Sequence, residues 1–355
     1  LVLNHYLSDR MHGKLGVGGT HQENVNVPGT GERPLIPNYR KRTAGLYLIE
    51  HLDLSERIEL EAGARVEGTL LDVFTYTAVQ EFITPHHSFL NHALSAGLNW
   101  SVRDSVRLRT HISSAFRPPH VSELYSEGLH HGSAAIEVGD ATLGSERALK
   151  ATVDLEAFAL AGALRMDLTL HASRIDQFIQ LRPEGHRLTI RGAFPEFRHA
   201  ATDVWMHGLD LSAEWAFMPR LAVRSRYSMV RARDLAADTW LFQMPADRME
   251  NSLVFRADRA GSWRGIELAV SSTEVWRQRR VPPGLDFMPP PDAYRLIGLS
   301  ASIARPIGEG ELRIGIEGHN LLNTAYRDYL DRFRYYADAR AIDVALWLRY
   351  AFGRT

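Results

Sequence analysis

The sequence contains no cysteine, so neither a disulfide framework nor a thiolate metal site or nucleophile is available. Long hydrophobic runs are missing too. The longest, Ala157 to Leu164, falls far short of the roughly 20 apolar residues that a spanning helix needs, which excludes a membrane helix. Charge of one sign is also absent. Lys and Arg number 41 against 42 Asp and Glu in 355 residues, a formal net charge of -1 that gives no electrostatic case for a nucleic-acid partner. Apolar spacing of three and four residues, the mark of amphipathic helices, is nearly absent. No nucleophile elbow, phosphate-binding loop, dinucleotide fingerprint or His-Glu-x-x-His motif occurs, and nothing fixes the geometry of the scattered Ser, His and Asp residues. An enzyme is not expected.

What is present is alternation with a period of two. Near the C-terminus Ile342, Val344, Leu346, Leu348, Tyr350 and Phe352 fall on one face, while Asp343, Ala345, Trp347, Arg349 and Ala351 fall on the other. The same pattern runs through Ile58 to Glu67, Val106 to Ile112, Leu164 to Leu170, Leu209 to Phe217, Leu221 to Met229 and Leu312 to Ile316. Connections alternate as well. Short polar or glycine-containing turns near Asp53–Glu56, Val102–Ser105, Leu160–Gly162, Met218–Arg220, Asp258–Gly261 and Ile307–Gly310 are separated by long segments. The long ones are Asn24–Arg40, Phe74–His87, Phe116–Glu146, Pro183–Thr202, Asp234–Arg248, Arg279–Asp292 and Thr324–Arg340. Trp100, Phe217 and Trp263 gather beside the short turns, as an interfacial aromatic girdle does.

Short turns at one end and long loops at the other predict an all-β fold, a transmembrane antiparallel β-barrel of the bacterial outer membrane. About fifteen strands are countable, and barrels with a plugged lumen have about 22. Leu1 to Leu7 already reads as a strand heading for a short turn, with no initiator Met or signal segment before it. The expectation is therefore that residues 1–355 are the C-terminal part of a barrel, with a plug domain and the first strands upstream.

Three stretches resemble TonB-dependent outer-membrane receptors. They are Ser114-Ala115-Phe116-Arg117-Pro118-Pro119 with Glu123-Leu124-Tyr125; Leu129-His130-His131-Gly132 through Ile136-Glu137-Val138-Gly139-Asp140 to Leu143 and Glu146; and Gly318-His319-Asn320-Leu321-Leu322-Asn323 with Tyr326. Pro34-Leu35-Ile36-Pro37 and Leu60 to Arg65 extend the likeness over nearly the whole chain. Two departures stand out: Gly353-Arg354-Thr355 follow the terminal aromatic Phe352, and Leu322 sits where the family more often has Phe. The resemblance implies a plug, a TonB box, TonB as partner, the Gram-negative outer membrane with its lipid and lipopolysaccharide as surroundings, and import of a scarce ligand without a required cofactor. It also implies a metal ion or metal chelate as cargo, with zinc ahead of a ferric siderophore or haem, since the His-His-Gly and acidic-Gly-Asp stretch resembles zinc-linked members, although relatives of unassigned substrate carry it too.

Among the residues themselves, His130 and His131 offer imidazoles for a first-row metal, with Glu127, Glu137 and Asp140 as nearby carboxylates. His86, His87, His120, His186 and His199 add to the supply. Arg107 and Arg109, with other arginines on polar strand faces, would attract an anionic chelate. Against these stand plainer roles: histidines that order a loop, and arginines paired with Glu59, Glu61, Glu67, Glu214 and Glu317. The Arg117-Pro118-Pro119 run reads as the exit of a strand, since proline cannot donate to a ladder. The rival functional class is a structural or adhesive barrel that transports nothing; a soluble all-β enzyme or lectin is the third.

Overall fold

A computed structural model describes residues 1–27, 34–77 and 79–352. The Gly353-Arg354-Thr355 departure and part of the expected loop Asn24–Arg40 lie outside the described residues. In chain order the strands are β1 (Val2–Ser8), β2 (Met11–Asn24), β3 (Asn38–Ser55), β4 (Ile58–Tyr76), β5 (Phe82–Ile83), β6 (His86–Arg103), β7 (Val106–Arg117), β8 (Glu127–His130), β9 (Ala135–Val138) and β10 (Glu146–Ala159). They continue with β11 (Leu164–Thr189), β12 (Gly192–Met218), β13 (Leu221–Asp234), β14 (Thr239–Trp240), β15 (Arg248–Ala260), β16 (Trp263–Val275), β17 (Tyr294–Ile307), β18 (Gly310–His319) and β19 (Asp343–Ala351). Of these nineteen, β5, β8, β9 and β14 are two to four residues long and sit in the long connections. The remaining fifteen build the wall, the number the alternation predicts.

Each wall strand pairs antiparallel with the next in sequence, from β1–β2 through β18–β19. Among the described residues β1 pairs only with β2 and β19 only with β18, so the sheet stays open. Register sorts the side chains into two faces. Leu48, Ala64 and Leu94 lie in one row across β3, β4 and β6, and Leu108, Leu155, Leu168 and Leu211 in another across β7, β10, β11 and β12. Large apolar side chains on this face are exposed, including Leu46, Leu94, Val153, Met166, Val270, Leu346 and Leu348. An exposed apolar band that follows the strands is a lipid-facing surface. The opposite face carries paired charges: Glu214 accepts from Arg224 at 3.0 Å and Arg256 at 2.6 Å, and Glu311 accepts from Arg264 at 2.7 Å.

Every short turn falls where the sequence places it, but Pro183–Thr202 is not a loop. Those residues extend β11 and β12 into a hairpin that stays paired, through a register shift at Pro183/Gly185, to Thr189↔Gly192 around the two-residue turn Ile190-Arg191. Gln177 and Gly185, with φ of 58° and 130°, bulge the strand, and Gly192 at φ 123° starts the return. This part rises beyond β13, whose pairing with β12 ends at Val204↔Asp234. Charged residues such as Arg187, Glu196 and Arg198 interrupt its faces, so the apolar contrast that marks a wall strand is missing.

Candidate functional site

The long connections fold into a layer over one end of the wall. Its first anchor is the helix α1 (Val121–Tyr125), set by a capping box: His120 Nδ1 accepts from Ser122 N at 3.2 Å, and the Glu123 carboxylate accepts from His120 N at 2.7 Å. The helix buries Val121 and Leu124 against Tyr39, Leu71 and Val73 at the tops of β3 and β4, and against Ile179 of the projecting hairpin. Arg117 ties the base of this loop together, donating to Glu146 at 2.7 Å and Glu123 at 2.8 Å. Gly139 meets α1 so closely that a Cβ there would lie 2.5 Å from the backbone of Leu124 and Tyr125.

Beyond α1, β8 and β9 form a small hairpin, and β9 lies parallel to the free upper edge of β12, with Phe197 opposite Glu137. Glu137 is buried and is the centre of the layer. It accepts from Arg332 Nη1 at 2.7 Å and contacts His130 Nδ1 at 3.0 Å. The Arg332 guanidinium stacks 4.8 Å over the Phe197 ring, while its Nε and Nη2 are buried without a protein partner. His199, on the same strand as Phe197, is held neutral by burial, which lowers its pKa; its Nε2 is likewise buried and unpartnered.

Arg332 comes from a single turn of 3-10 helix, Arg332–Tyr335, capped by the Asp331 carboxylate accepting from Phe333 N at 2.8 Å. Arg334 in that turn is almost fully buried, paired with Asp286 and stacked 4.6 Å from the Tyr335 ring. Tyr335 donates to Asp286 at 2.8 Å, and Tyr336 donates to the Ala134 carbonyl at 2.7 Å. Phe197, Phe242, Phe287 and Tyr335 close the layer as an aromatic cluster around Ala135. Segments from four long connections therefore meet in one packed unit.

The residues singled out in the sequence are distributed over this frame. His130 and Glu137 are together; His131 is exposed and opens the 3-10 turn His131–Ser133. Glu127 accepts instead from Arg187 at 2.7 Å, and Asp140 turns back on its own loop, accepting from Thr142 N at 2.9 Å. Arg107 and Arg109 face Glu156 at 3.6 and 3.9 Å beside a short turn, eight or more residues down β7 from Arg117 and so roughly 25 Å from the layer. The other histidines are placed structurally: His86 on Asp72 at 2.6 Å, His87 on the Tyr125 hydroxyl at 2.7 Å, and His186 edge-on to Phe287. Among the described residues no group of three or more His, Asp and Glu is arranged to hold a metal ion. Sequence reasoning missed Arg332, Arg334 and Phe197. The run Arg332-Phe333-Arg334-Tyr335-Tyr336, cations alternating with rings inside a long connection, was the available signal.

Residues 5–321 match the family model for the TonB dependent receptor-like β-barrel. No curated protein sequence matches the chain. Among solved structures it is similar to the copper transporter OprC, with a TM-score of 0.75 at 15% identity over 97% of this chain and 54% of that one. It is similar also to the iron transporter FrpB of Neisseria meningitidis, at 0.66 and 15% over 98% and 53%. A third likeness is to the hemophore receptor HasR of Serratia marcescens, solved with its hemophore HasA and heme, at 0.67 and 15% over 99% and 58%. The chain thus spans about half the length of the solved structures it matches.

Proposed function

The chain belongs to the TonB-dependent receptor family, and from that membership we propose that it forms most of the barrel wall and the ligand-binding mouth of an outer-membrane importer of metal chelates. TonB, acting through a plug domain, would supply the coupling. One observation carries the reading: connections distant in sequence converge on the buried Glu137, with Arg332 and His130 on either side. A packed, polar-centred layer over the mouth is a built recognition surface, unlike independent loops on a purely structural barrel. The solved copper, iron and haem receptors with the same fold support metal-bearing cargo.

Within that class the geometry favours a chelate over a bare zinc ion. Glu137 is already neutralised by a guanidinium, and Glu127 and Asp140 have their own donors, so the carboxylates expected beside His130 are engaged. Equilibrium titration of the full-length receptor with zinc chloride, haemin and ferric citrate, in wild type beside His130→Ala/His131→Ala, tests the proposal. Binding of haemin or the ferric chelate by wild type is the expected result. Saturable zinc binding lost in the double variant would replace the chelate reading with a metal-ion receptor. Failure of all three to bind would overturn metal import.

A further inference from the structure

Next to the layer lies a pocket of about 310 Å³ walled by Arg182, Trp240, Phe242, Pro282, Pro283 and Leu285. Most arginines in the covering layer have a carboxylate: Arg117, Arg187, Arg198, Arg231, Arg277, Arg327, Arg332 and Arg334 all do. Arg182 is half-buried at the pocket wall, and no acidic side chain lies within ion-pair distance of it among the described residues. Withdrawing a guanidinium from water against rings and prolines is unfavourable unless an anion joins it. The one carboxylate at the wall, Asp234, is taken up by Thr202 Oγ1 at 2.7 Å and by the backbone of Ala236 and Ala237 at 3.0 and 2.9 Å. Gln180, two residues before Arg182 on the same strand face, has its amide oxygen buried with no protein donor.

The apolar walls are fixed in place. Arg233 stacks 5.3 Å over Trp240 and sets the plane of that ring, and Phe242 is buried in the same aromatic cluster as Phe197. The buried Gln278 side chain donates to the carbonyls of Met244 and Pro245 at 2.9 and 2.8 Å, clamping the proline-bearing connection to the one that carries Trp240. Pro282 and Pro283 have fixed φ and little freedom to close the space.

We propose that this pocket binds an anionic, ring-bearing group, the aromatic carboxylate of a chelator, with its oxygens on the Arg182 fork and its ring between Trp240, Phe242 and the two prolines. A guanidinium offers two parallel N–H donors to a carboxylate, and flat rings bind flat rings. The proposal rests on reading the layer as a ligand-binding mouth, and names the chemistry of part of the ligand.

The test uses the full-length receptor and three metal-free compounds: benzoate, acetate and benzyl alcohol. Benzoate should bind saturably, with acetate and benzyl alcohol at least tenfold weaker, because each lacks one half of the recognised group. Arg182→Gln should weaken benzoate tenfold or more, Arg182→Lys should restore part of that loss, and Trp240→Leu should weaken it severalfold. Unchanged heat-modifiable migration in gels verifies that each variant is folded. Equal affinity of wild type and Arg182→Gln for benzoate would overturn the proposal, as would acetate binding as tightly as benzoate. Because no metal is used, benzoate binding in a receptor that fails all three metal titrations would leave the pocket standing and sink metal import; the converse would do the opposite.

Discussion

Arg332 donates to Glu137 across 2.7 Å although they stand 195 positions apart in sequence, and this pair, beside the Tyr336 hydroxyl on the Ala134 carbonyl, ties the last long connection to the β8–β9 hairpin. Replacing the carboxylate with a neutral amide leaves Arg332 buried without its counter-charge. Glu137→Gln should loosen the layer by about 3 kcal/mol, the scale for breaking a buried pair from one side. Hydrogen exchange in the full-length receptor should show faster exchange in residues 324–342, with the wall strands unchanged. Equal protection in both proteins would mean that the pair does not hold the layer.

Acidity should open the same layer. Burial lowers the pKa of His199 and of His120, so the folded state keeps both neutral while the unfolded state takes up protons near the ordinary value of about 6.5. Stability from these groups is complete above that value and is lost as pH falls through the lowered folded-state pKa. Protonated His120 also loses the lone pair that accepts from Ser122 N. Protease sensitivity of residues 118–146 should rise between pH 7.5 and 5, and His199→Phe with His120→Asn should flatten the rise. A pH-independent cleavage rate in wild type would refute this.

Gly139 gives a test of packing alone. Gly139→Ala places a methyl against the Leu124–Tyr125 backbone, where no side chain is available to yield. The expected outcome is a displaced α1 and cleavage within residues 118–146 at protease levels that wild type resists, with barrel migration in gels unchanged.

The two faces of the wall should respond oppositely to charge. Leu94→Arg, in the exposed apolar row with Leu48 and Ala64, should cost about 2–4 kcal/mol in denaturant unfolding of the lipid-embedded receptor. Arg109→Leu, whose guanidinium sits 3.9 Å from Glu156 on the opposite face, should cost under about 1 kcal/mol. Similar costs for the two would mean that the faces are misassigned.

The wall was legible because lipid on one side and polar groups on the other force a period of two, and the short turns such as Glu56-Arg57 and Gly308-Glu309 interrupt it cleanly. Fifteen wall strands follow from that contrast alone. The upper halves of β11 and β12 do not announce themselves as strands, because Arg187 pairs with Glu196 and Arg198 with Glu184 across the hairpin and these charges break the apolar row. The pairing of His130 with Glu137 was within reach, seven residues apart on a hairpin. Its union with Arg332 was not, since no local pattern encodes a contact between connections 195 positions apart.

The parallel seating of β9 on β12 also sets an order of events. β9 precedes β10 in the chain, yet the edge it needs belongs to a strand two positions further along the wall. That edge exists only after β10, β11 and β12 have been laid down in register. Loop closures of this length slow the step that depends on them, so the loop layer should close after that part of the wall has formed. A mutation that delays wall assembly would then be seen first as an open, protease-sensitive loop layer, before any loss of the wall.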